Sequence, residues 1–425
     1  MLQRKVAGAK LALFFGYRLL ERWRRNFIAV WPGLFATSLG LTAVIPTLPL
    51  YIEERFGITD PAAIQRWTAI VFGAGPIAAS VCGPFWGALG DRLSRKAMVV
   101  RAQLGVAVSL ALMPLAEDPT MMTVLRLMQG VFAGHIAPSM ALVIGDAPPD
   151  RHGRVIGQLA LALALGTALG PMLGAEITGR FDRRQVFWVG GAAAAAAALI
   201  VSFVAVRGQE PRPRDAAGKA AAGPGVRDVL ASRPLLAMVC LICAMRLGQH
   251  MVELFTALWV RELGAWPLLA PGDPELALER SVALPFTLLA VAQIATTAAW
   301  GRLADRFGPL RCLAVSVLSL AVLLLSMSCV TGILMYLVLR AIAAPFMAGF
   351  TTLSYAAVTR RAPASHKALA FALVQSGIHV GIAMGPMTGS VVAGSFGLRG
   401  AFVVASMVLF ATGIAMLMLR RLERK

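Results

Sequence analysis

Charge is what this chain has least of. Only 14% of its 425 residues are Asp, Glu, Lys or Arg, against roughly 25% in a soluble domain. Acidic residues are scarcer still, 21 against 40 basic, for a formal net charge of +19. With 58% hydrophobic residues, too little polar surface remains to cover a water-soluble globule. The same excess excludes disorder, because nearly every stretch is apolar enough to bury. Cysteine is sparse: Cys82, Cys240, Cys243, Cys312 and Cys329 all lie in or beside apolar runs. The C-x-x-C of Cys240 and Cys243 sits inside such a run and not at a strand-to-helix turn, so it reads as small buried thiols rather than a redox pair. Phosphate loops, metal-ligand clusters and nucleophile–base signatures are missing. Neither enzymatic activity nor a cofactor or metal is expected. No short apolar core with a small-residue cleavage site opens the chain, so the first long apolar run reads as a retained span. The basic residues do not alternate with base-stacking aromatics. They stand in or beside loops, which points to anionic lipid and away from nucleic acid.

What is present is a succession of long apolar runs. A helix needs about 20 apolar residues to cross the hydrocarbon. Spans fall near 27–52, 66–89, 98–116, 120–146, 153–178 and 185–206, then near 234–262, 281–302, 309–328, 331–358, 366–394 and 398–419. Long runs without alternation exclude a barrel. The expected fold is therefore an all-α membrane protein of twelve transmembrane helices in two six-helix bundles. The expected units are a basic amphipathic segment 1–26, bundles 27–206 and 234–425, and a polar linker 207–233. The linker's GQEPRPRDAAGKAAAGPG is the clearest compositional break. In the N-terminal segment Arg18, Arg22 and Arg25 share one helix face opposite Leu13, Leu20 and Trp23, the pattern of an interfacial helix on an anionic inner leaflet.

Orientation follows from Lys and Arg. One side holds eight basic residues: Arg55, Arg66, Arg180, Arg183, Arg184, Arg261, Arg280 and Arg399. Three lie inside spans, Arg126, Arg246 and Arg340, and the other 29 of the 40 fall on the side of both termini. Both termini and the linker are expected to be cytoplasmic.

The chain also repeats itself. GALGDRLSRK (87–96) aligns with GRLADRFGPLR (301–311) at an offset of 214, and GTALGPMLG (166–174) with GIAMGPMTG (381–389) at 215. Phe181, Arg184 and Phe187 fall on Phe396, Arg399 and Phe402, again at 215. A near-constant offset means two homologous halves, an architecture that transporters use.

The first loop motif holds Gly87 and Gly90 for close helix approach, Asp91 placed to meet the positive N-terminal end of a neighbouring helix, span 11, and Arg92, Arg95 and Lys96 on the cytoplasmic face. Asp305 and Arg306 repeat it. In span 5, Gly166, Gly170 and Gly174 recur every four residues, and Pro171 removes a backbone hydrogen bond. With these motifs the chain resembles the major facilitator superfamily over its length from about residue 27. GALGDRLSRK is similar to that superfamily's cytoplasmic gate signature, with Ser94 in place of a glycine. GTALGPMLG resembles the motif of its drug:proton antiporter branch. Pro46 and Pro49 in IPTLPLYIEE resemble the entry motif of drug exporters. The run from Arg25 to Gly105 is similar to the MdtG-type branch of multidrug exporters. The resemblance assigns proton transfer to Arg126 in span 4. Asp146, which closes that span, is a candidate partner for Arg95.

Charge inside a span costs about 2.5–3.5 kcal/mol on insertion scales, so each such residue reads as functional by default. Span 7 carries three. Arg246, His250 and Glu253 stand at i, i+4 and i+7 on one face, with Gln249 beside it. Glu253 is the expected exchangeable proton site, His250 its assistant and Arg246 the source of the local field. The competing reading is a salt bridge internal to span 7. His135, His379, Glu176, Gln293 and Gln375 are further intramembrane polar groups. The resemblance implies a monomeric, proton-coupled exporter of small amphipathic or drug-like molecules in the bacterial cytoplasmic membrane. The alternatives are an exporter of one metabolite, such as a siderophore or lysolipid, a proton-coupled uptake symporter, and a receptor or assembly factor on the same scaffold.

Overall fold

The computed structural model describes residues 21–90, 93–148, 151–206, 233–359 and 367–422, and among them every regular element is helical. The N-terminal segment 1–20, Asp91, Arg92 and nearly all of the linker thus lie outside the described residues. In the first half, α1 (Arg22–Ala43) and α2 (Leu48–Phe56) form span 1. Spans 2 and 3 are α3 (Pro61–Gly90) and α4 (Arg95–Leu112). Span 4 is α5 (Pro119–Phe132) with α6 (Ile136–Ile144), and spans 5 and 6 are α7 (His152–Thr178) and α8 (Arg184–Val204). In the second half, α9 (Arg233–Glu253) and α10 (Thr256–Leu263) form span 7, and α11 (Pro274–Phe307) and α12 (Pro309–Ser328) are spans 8 and 9. Span 10 is α13 (Ile333–Ala348) with α14 (Phe350–Thr359), and α15 (Lys367–Leu422) carries spans 11 and 12. Gly397 divides α15 with φ 70°, a left-handed conformation that only glycine adopts without strain.

Several helix starts are written locally. Asp118 caps α5 by accepting from the Met121 amide at 2.8 Å, and Asp273 caps α11 through Leu276 at 3.0 Å. Ser94 takes the place of a loop glycine because it is the N-cap of α4: its hydroxyl accepts from the Ala97 amide at 3.2 Å. The equivalent cap of α12 is Gly308, with φ 89°.

The internal repeat is visible in side-chain geometry. Trp86 Nε1 donates to the Val131 carbonyl at 2.6 Å, and Trp300 Nε1 donates to the Pro345 carbonyl at 2.7 Å. The same two tryptophans pack against Phe132 and Phe346 with ring centroids 6.3 and 6.4 Å apart. Each partner is displaced by 214 residues. The larger buried apolar clusters mostly follow the same division. One gathers Ala29, Leu34, Val99, Leu142, Val155 and Val201, another Leu235, Met245, Val317, Phe350 and Leu409.

The glycines of span 5 let α7 lie directly on α1. A Cβ at Gly166 would meet the Phe35 carbonyl oxygen at 2.5 Å, and one at Gly170 the Leu39 carbonyl at 2.7 Å; at Gly174 it would strike the Ala43 carbonyl. The second half repeats the arrangement between α15 and α9. There Gly381 and Gly385 face the Cys243 and Leu247 carbonyls at 2.5 and 2.8 Å.

Candidate functional site: a cavity between the halves

Spans 1 and 7, the first of each half, are both broken. α1 stops at Ala43 before Pro46, whose ring supplies no N–H to continue the ladder, and Pro49 opens α2. α9 stops at Glu253, and α10 restarts at Thr256. Breaks of this kind free backbone and side chains toward an interior space. A cavity of about 170 Å³ lies there. The first half supplies Thr42, Ile45, Phe72, Thr167 and Pro171; the second supplies His250, Glu253, Leu254, Phe286, Leu289, Ala290 and Gln293. Glu253 is the one carboxylate in that lining.

Glu253 is 8% exposed. His250 Nδ1 stands 2.9 Å from its Oε2. Gln249 connects it to Arg246: the arginine Nη1 donates to Gln249 Oε1 at 2.9 Å, and Gln249 Nε2 approaches Glu253 Oε2 at 3.5 Å. Arg246 also donates to Thr351 Oγ1 on α14 and lies 5.9 Å from the Phe350 ring centroid. The place of Glu253 at the end of α9 is electrostatically uphill, since a helix C-terminus carries partial negative charge. Thr256 relieves part of this by donating its hydroxyl to the Glu253 carbonyl at 2.7 Å. The Gly381–Gly385 face of α15 meets Arg246 Cβ and His250 Cβ within 2.6 and 2.9 Å of a notional Cβ, so the glycines set how deeply those side chains sit.

The other expected residues are dispersed. Arg126 is buried and donates to Gln129 Oε1 at 2.7 Å, with Nε and Nη2 unpartnered. His135 is buried at the break between α5 and α6, beside Gly134 with φ 99°. Neither lines the cavity. His379 joins a separate cluster, with Nε2 3.0 Å from Gln375 Nε2, while Gln375 accepts from Tyr355. Arg95 donates to the Ala141 carbonyl at 2.8 Å and Lys96 to the Ala205 carbonyl at 2.7 Å, tying α4 to neighbours in its own half. Asp146 receives Asn26 Nδ2 at 3.4 Å. Asp305 and Arg306 are exposed at the end of α11. Gly87 lies in the last turn of α3. Thr351, Tyr355 and Arg340 escaped the sequence reading as site residues. Arg340 was within reach of it, since the 214-residue offset carries Arg126 onto it.

At the opposite end from Arg95, the loops after spans 1, 5 and 7 meet. Among the described residues, the ion pairs that cross from one half to the other are Arg183–Glu279 at 2.6 Å, Arg280–Glu176 at 2.5 Å and Arg261–Glu53 at 2.5 Å. Thr178 adds a hydrogen bond to Glu279 at 2.9 Å. Arg183 also pairs with Glu54 of its own half. Burial pushes the Arg183 pKa down, but Glu279 and Glu54 outweigh it and the net direction is up.

Two helical halves around one interior cavity, with helices long and apolar enough to cross a membrane, define a multi-pass membrane transporter. The profile of the Major Facilitator Superfamily matches residues 30–272 and 264–425, and the chain belongs to that family. It is 29% identical over 398 residues to the multidrug resistance protein MdtG of Salmonella paratyphi C, covering 91% of this chain and 94% of that one. To MdtG of Escherichia coli it is 28% identical over 402 residues, covering 91% and 93%. Among solved structures, the nucleoside transporter NupG superposes with a TM-score of 0.76 at 11% identity, over 93% of this chain and 98% of that one. An inward-facing, unoccupied bacterial homologue of the lysosomal transporter Spinster superposes at 0.73 and 14%, over 94% and 95%. These structural likenesses show the fold. The chain is a small-molecule transporter and not an enzyme.

Proposed function

We propose that the chain is a proton-coupled exporter of cationic, amphipathic, drug-like molecules, working as a monomer in the bacterial cytoplasmic membrane with both termini and the linker inside. The observation that carries this is Glu253, the lone carboxylate in a mostly apolar cavity shared by both halves. A carboxylate in such a place holds a proton or a cationic substrate, and each displaces the other. Competition for one group couples the two fluxes without further machinery. His250, in contact with the carboxylate, shuttles the proton. Arg246, held by Gln249 and Thr351, sets the field. The apolar remainder of the lining accepts varied hydrocarbon shapes, in keeping with the multidrug resistance named for the MdtG relatives. Orientation rests on the 29 basic residues on the linker side. With the opposite end bridged by ion pairs, the outer side is the closed one. The motif from Gly87 through Asp91 to Lys96 forms the cytoplasmic gate of the same cycle, and the glycine–proline face of Gly166, Gly170, Pro171 and Gly174 is the surface along which span 5 moves.

The test is transport in proteoliposomes with an imposed pH gradient and a panel of cationic dyes. Glu253→Gln is expected to abolish gradient-driven accumulation while downhill dye exchange continues. If the variant accumulates dye normally and only melts earlier, the site is a structural salt bridge and coupling lies elsewhere.

A further inference from the structure

Glu279 is the most deeply buried carboxylate among the described residues, 2% exposed, yet it lies near the start of α11 and outside the cavity lining. Both of its partners belong to the other half. Arg183 donates to Oε1 at 2.6 Å and Thr178 to Oε2 at 2.9 Å. The neighbouring residue, Arg280, makes the reverse contact with Glu176 of the first half. Spans 5 and 8 are thus cross-braced by two ion pairs of opposite polarity.

The two sides of the Arg183–Glu279 pair are not equivalent. Arg183 has a second carboxylate, Glu54, on its own half, and that contact survives if the halves part. Glu279 has no such reserve. The charged groups on the elements around it are Glu53, Glu54, Arg55, Glu176, Arg180, Asp182, Arg183 and Arg184 in the first half, and Arg261, Glu262, Asp273, Glu275 and Arg280 in the second. The basic ones are otherwise engaged: Arg180 and Arg280 on Glu176, Arg184 on Asp182, Arg261 on Glu53, and Arg55 beside the Tyr51 hydroxyl. Parting the seam takes the guanidinium and the hydroxyl from Glu279 at once. A carboxylate that has lost its cation and its hydrogen-bond donor binds a proton more readily than one held in an ion pair.

We propose that Glu279 is a second proton-binding carboxylate, the latch of the outer gate, which takes a proton from the external medium as spans 5 and 8 separate and gives it up when they close. The proton comes from external water onto a carboxylate oxygen as the bond to Arg183 breaks; on closing it returns to water and the ion pair re-forms. The closed seam is favoured while Glu279 is ionised and loses that support as external pH falls. Acid outside, the condition that drives antiport, therefore opens the outer face. The proposal rests on the orientation and proton coupling argued above.

Spin labels at Phe181→Cys and Leu268→Cys, exposed positions on the two sides of the seam, report its opening in chains freed of the five native cysteines. The unaltered latch is expected to give a short distance at pH 8 and a growing long-distance population toward pH 5. Glu279→Gln is expected to raise the open-to-closed ratio at pH 8 by about tenfold and to flatten its pH dependence. Thr178→Val, which keeps the charge, is expected to shift the midpoint upward without flattening it. Arg261→Gln, at the exposed rim, is expected to keep the full response. A Glu279→Gln curve that follows the parent overturns the proposal, as does a response lost only in Arg261→Gln. Loss of dye accumulation with an intact gate response would instead count against the transport reading, so the two fail separately.

Discussion

The two seams between the halves are built on the same backbone plan and held by opposite chemistry. Where span 5 meets span 8, the end away from the linker is braced by Arg183–Glu279 and Arg280–Glu176. Where span 2 meets span 7, the same end is closed by Ile64, Phe255 and Leu258 with Ile58 and Leu398 around them, and an ion pair, Arg261–Glu53, stands only at its rim. The 214-residue offset carries Glu279 and Arg280 back onto Gln65 and Arg66. Gln65 is 5% exposed and its Oε1 has no partner, while Arg66 is exposed. A neutral amide thus occupies the place that the second half gives to a carboxylate paired with an arginine. Repetition supplied the scaffold, and divergence at equivalent positions supplied a seam that responds to charge and one that does not.

The largest effect expected from breaking this contrast is that of Arg183→Ala. It leaves Glu279 buried without its cation, at a cost of about 3 kcal/mol. A clear fall in melting temperature, together with greater labelling of the outer face, is the expected readout. Gln65→Ala on the other seam removes a side chain already short of a partner and should move the melting temperature far less. Equal shifts from the two would erase the distinction between the seams.

Next come the glycine faces, where the halves should behave alike. Gly170→Ala drives a methyl against the Leu39 carbonyl and Thr42; Gly385→Ala drives one against the Leu247 carbonyl and His250. Overpacking of this kind costs about 1–3 kcal/mol. Both variants should lose stability, and Gly385→Ala should also disturb coupling because it displaces His250. Gly83→Ala and Gly301→Ala meet nothing within 4 Å and serve as controls. A control that loses as much stability as the tight positions would show that helix propensity, not contact, governs.

The smallest effect is expected at Arg261, which is 44% exposed and pairs with Glu53 at the rim. Such a pair contributes about 0–1 kcal/mol, so Arg261→Gln should leave transport and its pH profile near the parent's. A profile shifted as far as that of Glu279→Gln would move the latch from the buried pair to the whole outer rim.

Much of the molecule was legible beforehand. Twelve runs of adequate length, the repeat offset, the glycine face of span 5 and the charged face of span 7 are local or periodic features. The geometry adds a correction of emphasis within that face. Arg246 and Glu253 are joined through Gln249, a residue read as merely beside them. The helix that carries them stops at Glu253, inside the run 234–262 read as one continuous span. Arg126 and His135, grouped with the cavity from their position inside spans, stand apart from it.

Composition and order alone determined that this chain spans a membrane repeatedly, in two related halves, because hydrophobic length and repeat offset are properties of short windows along the chain. Tertiary structure decided which charges meet. Arg183 lies 96 residues from Glu279 and Arg261 lies 208 from Glu53, and nothing in the sequence ranks those pairings above the many others that the loop charges allow. The choice comes from packing two bundles against each other. Only that packing brings two arginines and two carboxylates, at and just after span 5 and on span 8, to one seam, and leaves a single carboxylate in the lining of the space between the halves.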